Sequence, residues 1–307
     1  MKYPHLQKFI ISCTITAALV FAAGSKAQTI VVADSGKAHV QLKIMSWNIY
    51  MLPRLFFHTG QIKRAAKIAE VLKEETKLDV IVFQEAFVKK SRNIIYELLK
   101  DSFPDQSGAP RKNSLWKSSS GVWVLSKTPL TVKKQIFFKH AKGSDRLACK
   151  GAMLLESMKD SVKFQLLGTH LQSDLKYQQV EKVRKTQYDQ MRTELLEPFY
   201  VEGVIQLLTG DFNTIKSDSV NYCSMISSLN ADTCQLCGNQ NYSFDYSKND
   251  FIKGQQGVPQ LIDHIFMRSG NKKTVEGKMT VKIFQRKWSK KHSDLSDHYA
   301  VTGTITL

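Results

Sequence analysis

Apolar residues in this chain come in short unbroken runs, and five of them meet a residue that can bind a metal or move a proton. Lys43 to Trp47 stops on Asn48, Asp79 to Gln84 on Glu85, and Phe164 to Thr169 on His170. Val204 to Gly210 stops on Asp211, with Asn213 two residues further on. Ser296-Asp297-His298 stands just before the run Tyr299 to Leu307. Continuous runs of this length predict strands buried on both faces, and such strands gather in sheets. Polar residues at their ends can then meet along one edge of a core. That edge is a candidate active site.

Between these runs the periodicity changes. Gln61 to Lys77 carries Ile62, Ala65, Ala66, Ala69 and Leu72 on one stripe beneath a basic outer face, which predicts a helix. Asn93 to Lys100 reads as a shorter helix, and Asp101 to Lys117 as a loop. Gly121 to Leu125, Thr131 to Phe138, Ala152 to Glu156 and Val162 to Leu167 are close-set strands of the antiparallel kind. Lys176 to Leu196 reads as a long amphipathic helix stopped by Pro198. Strands return at Val204 to Leu208, Leu261 to Met267, Thr280 to Phe284 and Tyr299 to Leu307. Many strands with few helices predict an α/β fold in which two mixed, mainly antiparallel sheets pack face to face with helices outside.

The first residues read differently. Lys2 and Lys8 precede an apolar stretch from Phe9 to Ala23, and Ser25-Lys26-Ala27 offers a small-x-small cleavage site. Residues 1–27 therefore read as a secretory signal peptide, and residues 28–307 as one catalytic domain, exported to the periplasm or beyond. No linker, repeat or second membrane-length apolar stretch divides the remainder. Three lysines leave with the signal, so 41 basic residues face 27 acidic ones, a net +14. That excess favours polyanions or anionic membrane surfaces as partners. Cys149, Cys223, Cys234 and Cys237 remain; in an oxidising compartment they are expected to form one or two disulfides or to stay as buried thiols.

Each strand ending has its own chemistry. A carboxylate such as Glu85 just beyond a buried strand is costly unless paired or bound to a cation. With oxygen-bearing neighbours such as Asn48, a hard cation like Mg²⁺ suits it better than zinc. Asp211 and Asn213 occupy alternate positions and point to one side, so the acid can accept from a water while the amide donates to a phosphoryl oxygen. His170 and His298 are the titratable pair, able to act as base or acid near neutrality. Asp263, inside the apolar run Leu261 to Phe266, is the best orienting acceptor for such a base, because a buried Asp needs a partner. Asp297, next to His298 on an extended segment, points the other way and is left for the metal or the phosphate. His58, His140, His264 and His292 read as surface or structural residues.

Taken in order, Asn48, Gln84-Glu85, Gly168-Thr169-His170, Gly210-Asp211-Phe212-Asn213, Ile262-Asp263 and Ser296-Asp297-His298 resemble the motifs of the metal-dependent endonuclease/exonuclease/phosphatase superfamily, the deoxyribonuclease-I-like fold. Asn48 to Pro53, Gln84 to Phe87, Lys150-Gly151, His170 to Ser173 and Ser296 to Tyr299 look like its secreted neutral sphingomyelinase branch. The resemblance implies a four-layer α-β-β-α sandwich and hydrolysis of sphingomyelin to ceramide and phosphocholine with Mg²⁺, for which Mn²⁺ or Co²⁺ can substitute. It implies Glu85, Asn48 and Asp297 about the metal. His298, His170, Asp263 and Asp211 would be catalytic, and Asn213, Asn48, Lys150 and Trp288 would touch substrate. The expected partner is a membrane sphingolipid, met by a monomer at the membrane surface, with a role in haemolysis or host damage. A nuclease of the same fold is the alternative, since a basic surface suits nucleic acid equally well.

One stretch departs from that pattern. Bacterial members of the branch carry an exposed aromatic hairpin shortly before the final Asp-His. Here Phe284 to His292 is basic and offers one tip aromatic, Trp288. Its ring suits either the interfacial zone of an anionic bilayer or a turn folded back onto the protein.

Overall fold

In the computed structural model the apolar runs form strands whose two faces are both covered, which is why they lack the alternation of half-exposed strands. The residues described are 40–54, 57–112, 118–174, 179–270 and 276–307, so the segment read as an export signal lies outside them. Among the described residues no helix is long and apolar enough to cross a membrane.

Chain order runs β1 (Gln41–Met51), α1 (Gln61–Lys73), β2 (Val80–Ala86), α2 (Lys89–Leu99), β3 (Asp105–Gly108), β4 (Trp123–Ser126) and β5 (Thr131–Phe137). It continues with β6 (Gly151–Lys159), β7 (Val162–His170), α3 (Glu181–Met191), β8 (Ile205–Asp211), α4 (Ser219–Leu229), β9 (Asp232–Thr233) and β10 (Gln235–Cys237). Last come β11 (Asp263–Arg268), β12 (Gly277–Lys282) and β13 (Ala300–Thr306). Among the described residues these make a seven-stranded sheet, β10-β12-β13-β1-β2-β4-β3, and a six-stranded sheet, β5-β6-β7-β8-β11-β9.

Alternate side chains of one strand serve two different cores. Leu42 and Ile44 of β1 meet Val80, Val82, Leu166 and Leu207 between the sheets. Met45 and Trp47 face the other way, against Ala65, Ile68 and Leu72 of α1 and Ile95 and Leu99 of α2. On the far side, Leu167 and Leu208 pack under Tyr188 and Met191 of α3 and Met225 and Leu229 of α4. Helix, sheet, sheet, helix: the sandwich has four layers.

Several elements differ from the sequence expectation. The first helix stops at Lys73, and its buried face includes Gln61 and Arg64 while Ile62 and Ala66 are only partly covered. The second helix begins four residues early, at Lys89. The long helix expected over 176–196 is α-helical over Glu181–Met191 and widens into a π turn over Arg192–Leu196; residues 175–178 lie outside those described. Four elements were not expected, namely β3, α4, β9 and β10. Among the described residues no disulfide forms: Cys149, Cys223, Cys234 and Cys237 are free. Cys234 Sγ enters the inter-sheet core beside Gly277 and Met267, while Cys237 Sγ turns to its own neighbour, the Gln235 carbonyl, at 3.8 Å. The two side chains of the Cys-x-x-Cys spacing thus point to different environments.

Arg64 binds the helix layer to the sheet ends. Its guanidinium is fully buried and donates to the carbonyls of Ile49 and Leu295 at 2.7 Å each, to Thr59 O at 2.8 Å, and to Tyr50 O. It also lies 5.1 Å from the Phe251 ring centroid. Arg64→Met leaves those carbonyls unpaired and should lower unfolding free energy by about 3–5 kcal/mol in urea titrations. Lysine should recover only a fraction, because a single ammonium cannot reproduce the fork. An unfolding midpoint indifferent to both substitutions would contradict the clamp.

His264 tests the outer core. Its Nε2 donates to Thr214 O at 2.8 Å and its ring lies against Phe266 and Tyr222, with centroids at 5.2 and 5.4 Å. Burial pushes the imidazole down to about 4. In the unfolded chain it titrates near 6.5, so as pH falls from about 6.5 to 4 the unfolded state takes up a proton that the folded state refuses. Stability should therefore drop by about 3 kcal/mol across that window and level off below it. His264→Gln should flatten this component when urea midpoints are compared at several pH values; an unchanged slope would place the titration elsewhere.

Candidate active site

Topology explains why the strand endings meet. β1 and β2 run parallel, as do β7 and β8, so Asn48 pairs beside Gln84 and His170 beside Asp211 at the same ends of their ladders. β11 runs antiparallel to β8 and starts where β8 finishes, with Asp263 directly opposite Asp211. β13 is antiparallel to β1, so the residues just before it return to the end of β1, where Trp47 Nε1 donates to the His298 carbonyl at 3.0 Å. Gly210 permits a close approach: a Cβ there would lie 2.1 Å from the Thr169 carbonyl oxygen.

Asp211 sits at the centre. Its Oδ2 accepts from Asn48 Nδ2 at 3.1 Å and lies 3.5 Å from His170 Nε2 and 3.9 Å from His298 Nε2. Its Oδ1 accepts from the backbone N of Asn213 at 2.9 Å, and Asn213 Nδ2 reaches the Leu171 carbonyl at 3.3 Å. Burial, reinforced by Asp263, pushes the Asp211 carboxyl up to about 6.

The two imidazoles are set in opposite directions. His298 Nδ1 is 2.8 Å from Asp263 Oδ2; a carboxylate only accepts, so Nδ1 carries the hydrogen and Nε2 faces Asp211. Burial would lower the His298 imidazole, but Asp263, Asp211 and Asp297 overcome it and raise it to about 10. Phe244 covers the ring, with centroids 4.7 Å apart. His170, also buried, has Nε2 3.0 Å from Lys150 Nζ. Burial, the Lys150 ammonium and His298 together hold His170 well below the usual imidazole range. Lys150 Nζ also donates to Asp145 Oδ2 at 2.9 Å and Leu171 O at 2.8 Å.

Glu85 faces this cluster from β2. Its backbone is left-handed, φ 52°, and its Oε1 lies 4.0 Å from His170 Nε2. Among the described residues its Oε2 is buried without a hydrogen-bond partner. Burial and then Asp297 push its carboxyl up to about 8. Asp297 is buried too and raised by that burial, against the pull of His298 and Arg64; its Oδ1 accepts from Ser296 Oγ at 3.2 Å. Two recessed carboxylates that raise their own pKa for want of positive charge form an oxygen-rich setting for a hard divalent cation, with the Asn48 side chain adjacent. Asp211, Asp263 and His298 also present ligand atoms within 4.8 Å of one another. There, however, the His298 Nδ1–H is already committed to Asp263, which suits a proton-transfer group better than a ligand set.

Nine of the residues singled out in the sequence thus gather here, and Trp288 does not. Its indole is folded back: Nε1 donates to Asp294 O at 2.8 Å, and the ring stacks on Phe251 and His292 with centroids at 5.6 and 5.3 Å. A basic tip with its ring already packed gains more from the protein than from solvent. Arg64, Asp145 and Phe244 were missed. Arg64 had a readable signal, a charge falling on the buried face of an amphipathic helix, whereas Asp145 and Phe244 lie in loop sequence with no periodicity to mark them.

No protein-family model matches the chain. It is similar to a sphingomyelinase C of Leptospira interrogans, 27% identical over 295 residues, spanning 87% of this chain but only 46% of that protein. Against sphingomyelinase C of Listeria ivanovii the identity is 25% over 289 residues, 85% of each chain. Among solved structures, a variant of beta toxin from Staphylococcus aureus with bound magnesium ions superposes with a TM-score of 0.77 at 25% identity, covering 86% of this chain and 99% of that one. Kinship in sequence and likeness in fold agree, and both set the chain beside the sphingomyelinase branch of the deoxyribonuclease-I-like proteins.

Proposed function

We propose that the chain is an exported phosphodiesterase that hydrolyses sphingomyelin to ceramide and phosphocholine with Mg²⁺ as cofactor. The observation that carries the reading is His298, fixed by Asp263 at 2.8 Å on one nitrogen and turned towards Asp211 with the other. The names of the relatives support the choice of lipid, although the chain spans less than half of the Leptospira protein. Export rests on the pattern of residues 1–27.

Glu85 and Asp297, with Asn48 beside them, would hold the cation. Bound there, it supplies positive charge to a phosphoryl oxygen and offsets the acid cluster that keeps His298 protonated. His298 Nε2 takes a proton from the attacking water while Asp263 holds the ring and stabilises the imidazolium. Asp211 orients that water and the imidazole. Asn213 turns its amide to the phosphate, and the His170 imidazole, held through Nε2 by Lys150, stands beside the phosphoryl and leaving-group oxygens. The water oxygen joins phosphorus as the bond to the ceramide oxygen breaks, and that oxygen leaves with a proton. The deoxyribonuclease-like alternative uses the same centre, so substrate is decided by assay and not by these residues.

Purified protein with Mg²⁺ should release phosphocholine from sphingomyelin liposomes and leave plasmid DNA closed; nicked plasmid without phosphocholine would overturn the reading. His298→Ala should cut turnover by about 10²–10⁴-fold with an unchanged circular-dichroism spectrum. Glu85→Gln should weaken Mg²⁺ binding by about tenfold or more in calorimetric titration. It should also leave the metal-free protein at least as stable, because folding no longer has to protonate a carboxyl that is ionised in the unfolded chain. Mg²⁺ heats identical to wild type would remove Glu85 from the metal set.

A further inference from the structure

Beside Lys150 the described residues line an open cavity of about 540 Å³, and of its lining only Lys150 enters the proposed hydrolysis. Phe138 and Val183 give it apolar surface, and Lys139, His140, Lys142 and Arg146 line it beside Lys150. The one acid among its lining residues, Asp145, has no charge to spare. Its Oδ2 accepts from Lys150 Nζ at 2.9 Å, from the backbone N of Ser173 at 2.8 Å and from Ser173 Oγ at 3.0 Å. Cations gathered round one space without a free carboxylate repel each other and favour a bound anion.

The donors are also held in place. Lys142 is clasped by Gln172, whose Oε1 accepts from its backbone N at 2.7 Å and whose Nε2 donates to its carbonyl at 3.4 Å. Its ammonium makes one bond, to Gln179 O at 3.1 Å. Arg146 is anchored through Nε to the Ala141 carbonyl at 3.2 Å, and both terminal nitrogens are without a partner among the described residues. The His140 imidazole likewise bonds to no described residue. Lys139 is engaged, with Nζ 2.8 Å from Glu194 Oε1. A guanidinium fork, a partly satisfied ammonium and a free imidazole are the donor set that a phosphate group fits. The volume exceeds a bare ion and lies in the range of small organic ligands. Leu147, 62% exposed, stands beside Arg146 on the same short turn, Gly143–Leu147.

We infer that this cavity is a second phosphate-binding site, separate from the reacting diester, for a phosphoester that carries an organic group. The phosphate can come from an anionic phospholipid headgroup, for which the exposed Leu147 would add an apolar contact with the bilayer, or from a soluble phosphoester. Since Lys150 both lines the cavity and bonds His170, the occupant sits one side chain away from the catalytic centre. The inference does not depend on which diester that centre hydrolyses.

The full chain, titrated with glycerol 3-phosphate, should show a saturable shift of the His140 imidazole resonance, assigned through His140→Gln. Sodium chloride at equal ionic strength should not reproduce it. The double variant Lys142→Ala, Arg146→Ala should weaken that binding by about tenfold or more, while turnover and circular dichroism stay as in wild type. Sedimentation with phosphatidylglycerol-containing vesicles, compared with phosphatidylcholine alone, separates the sources. If the headgroup is the ligand, the double variant and Leu147→Ser each release protein from the anionic vesicles and glycerol 3-phosphate competes. If a soluble ester is the ligand, vesicle binding ignores all three while the resonance shift remains. Absence of a saturable shift, or the same shift in the double variant, overturns the inference.

Discussion

Negative charge held at the ends of buried strands is the constraint that the rest of this structure answers. Glu85, Asp211, Asp263 and Asp297 converge where little water reaches them, and a buried carboxylate without a partner is costly. The chain surrounds them with positive charge from three directions: His298 through Asp263, Lys150 through His170, and Arg64 behind Tyr50 and Asp297. Even so, Glu85 keeps an unpartnered oxygen. That oxygen is the one the proposed cation would satisfy.

The two histidines show how one cluster creates two opposite environments. Both are buried, and burial alone would lower both. His298 has three acids about it and is driven up; His170 has an ammonium against it and is driven down. Separation of titratable groups by environment is how acid and base roles are divided among residues of like kind. The sheets supply that environment, since each imidazole leaves a different strand end and meets a different neighbour.

Much of this was legible because buried strands write themselves as apolar runs, and a polar residue ending one stands out. Asp263 was legible for the same reason, as a lone charge inside such a run. What stayed hidden had no such contrast. α4 is built from Ser219, Asn221, Ser224 and their neighbours, poor helix formers that rely on Asp218 as a cap and on packing of Met225 and Leu229. β3, Asp105–Gly108, is four residues long with no apolar side chain, and it exists because β4 offers it a ladder. The cysteines illustrate a different limit: compartment says when a disulfide can form, but side-chain direction decides whether two sulfurs meet. Trp288 is similar, since its sequence neighbours describe a basic turn while Phe251 and His292, contributed from elsewhere or from its own return, decide where the ring lies.

The register of β8 against β11 fixes more than a fold. Asp211 faces Asp263 across that ladder, and His264 follows Asp263 on the opposite face. Slipping the pairing by one residue would carry Asp263 into the outer core and bring the His264 imidazole into its place. The strands that end in the site are therefore fixed in length to the residue, and so are the short loop segments that carry Lys150, Asn213, Asp297 and His298. Change elsewhere on the surface leaves that arrangement of side chains intact.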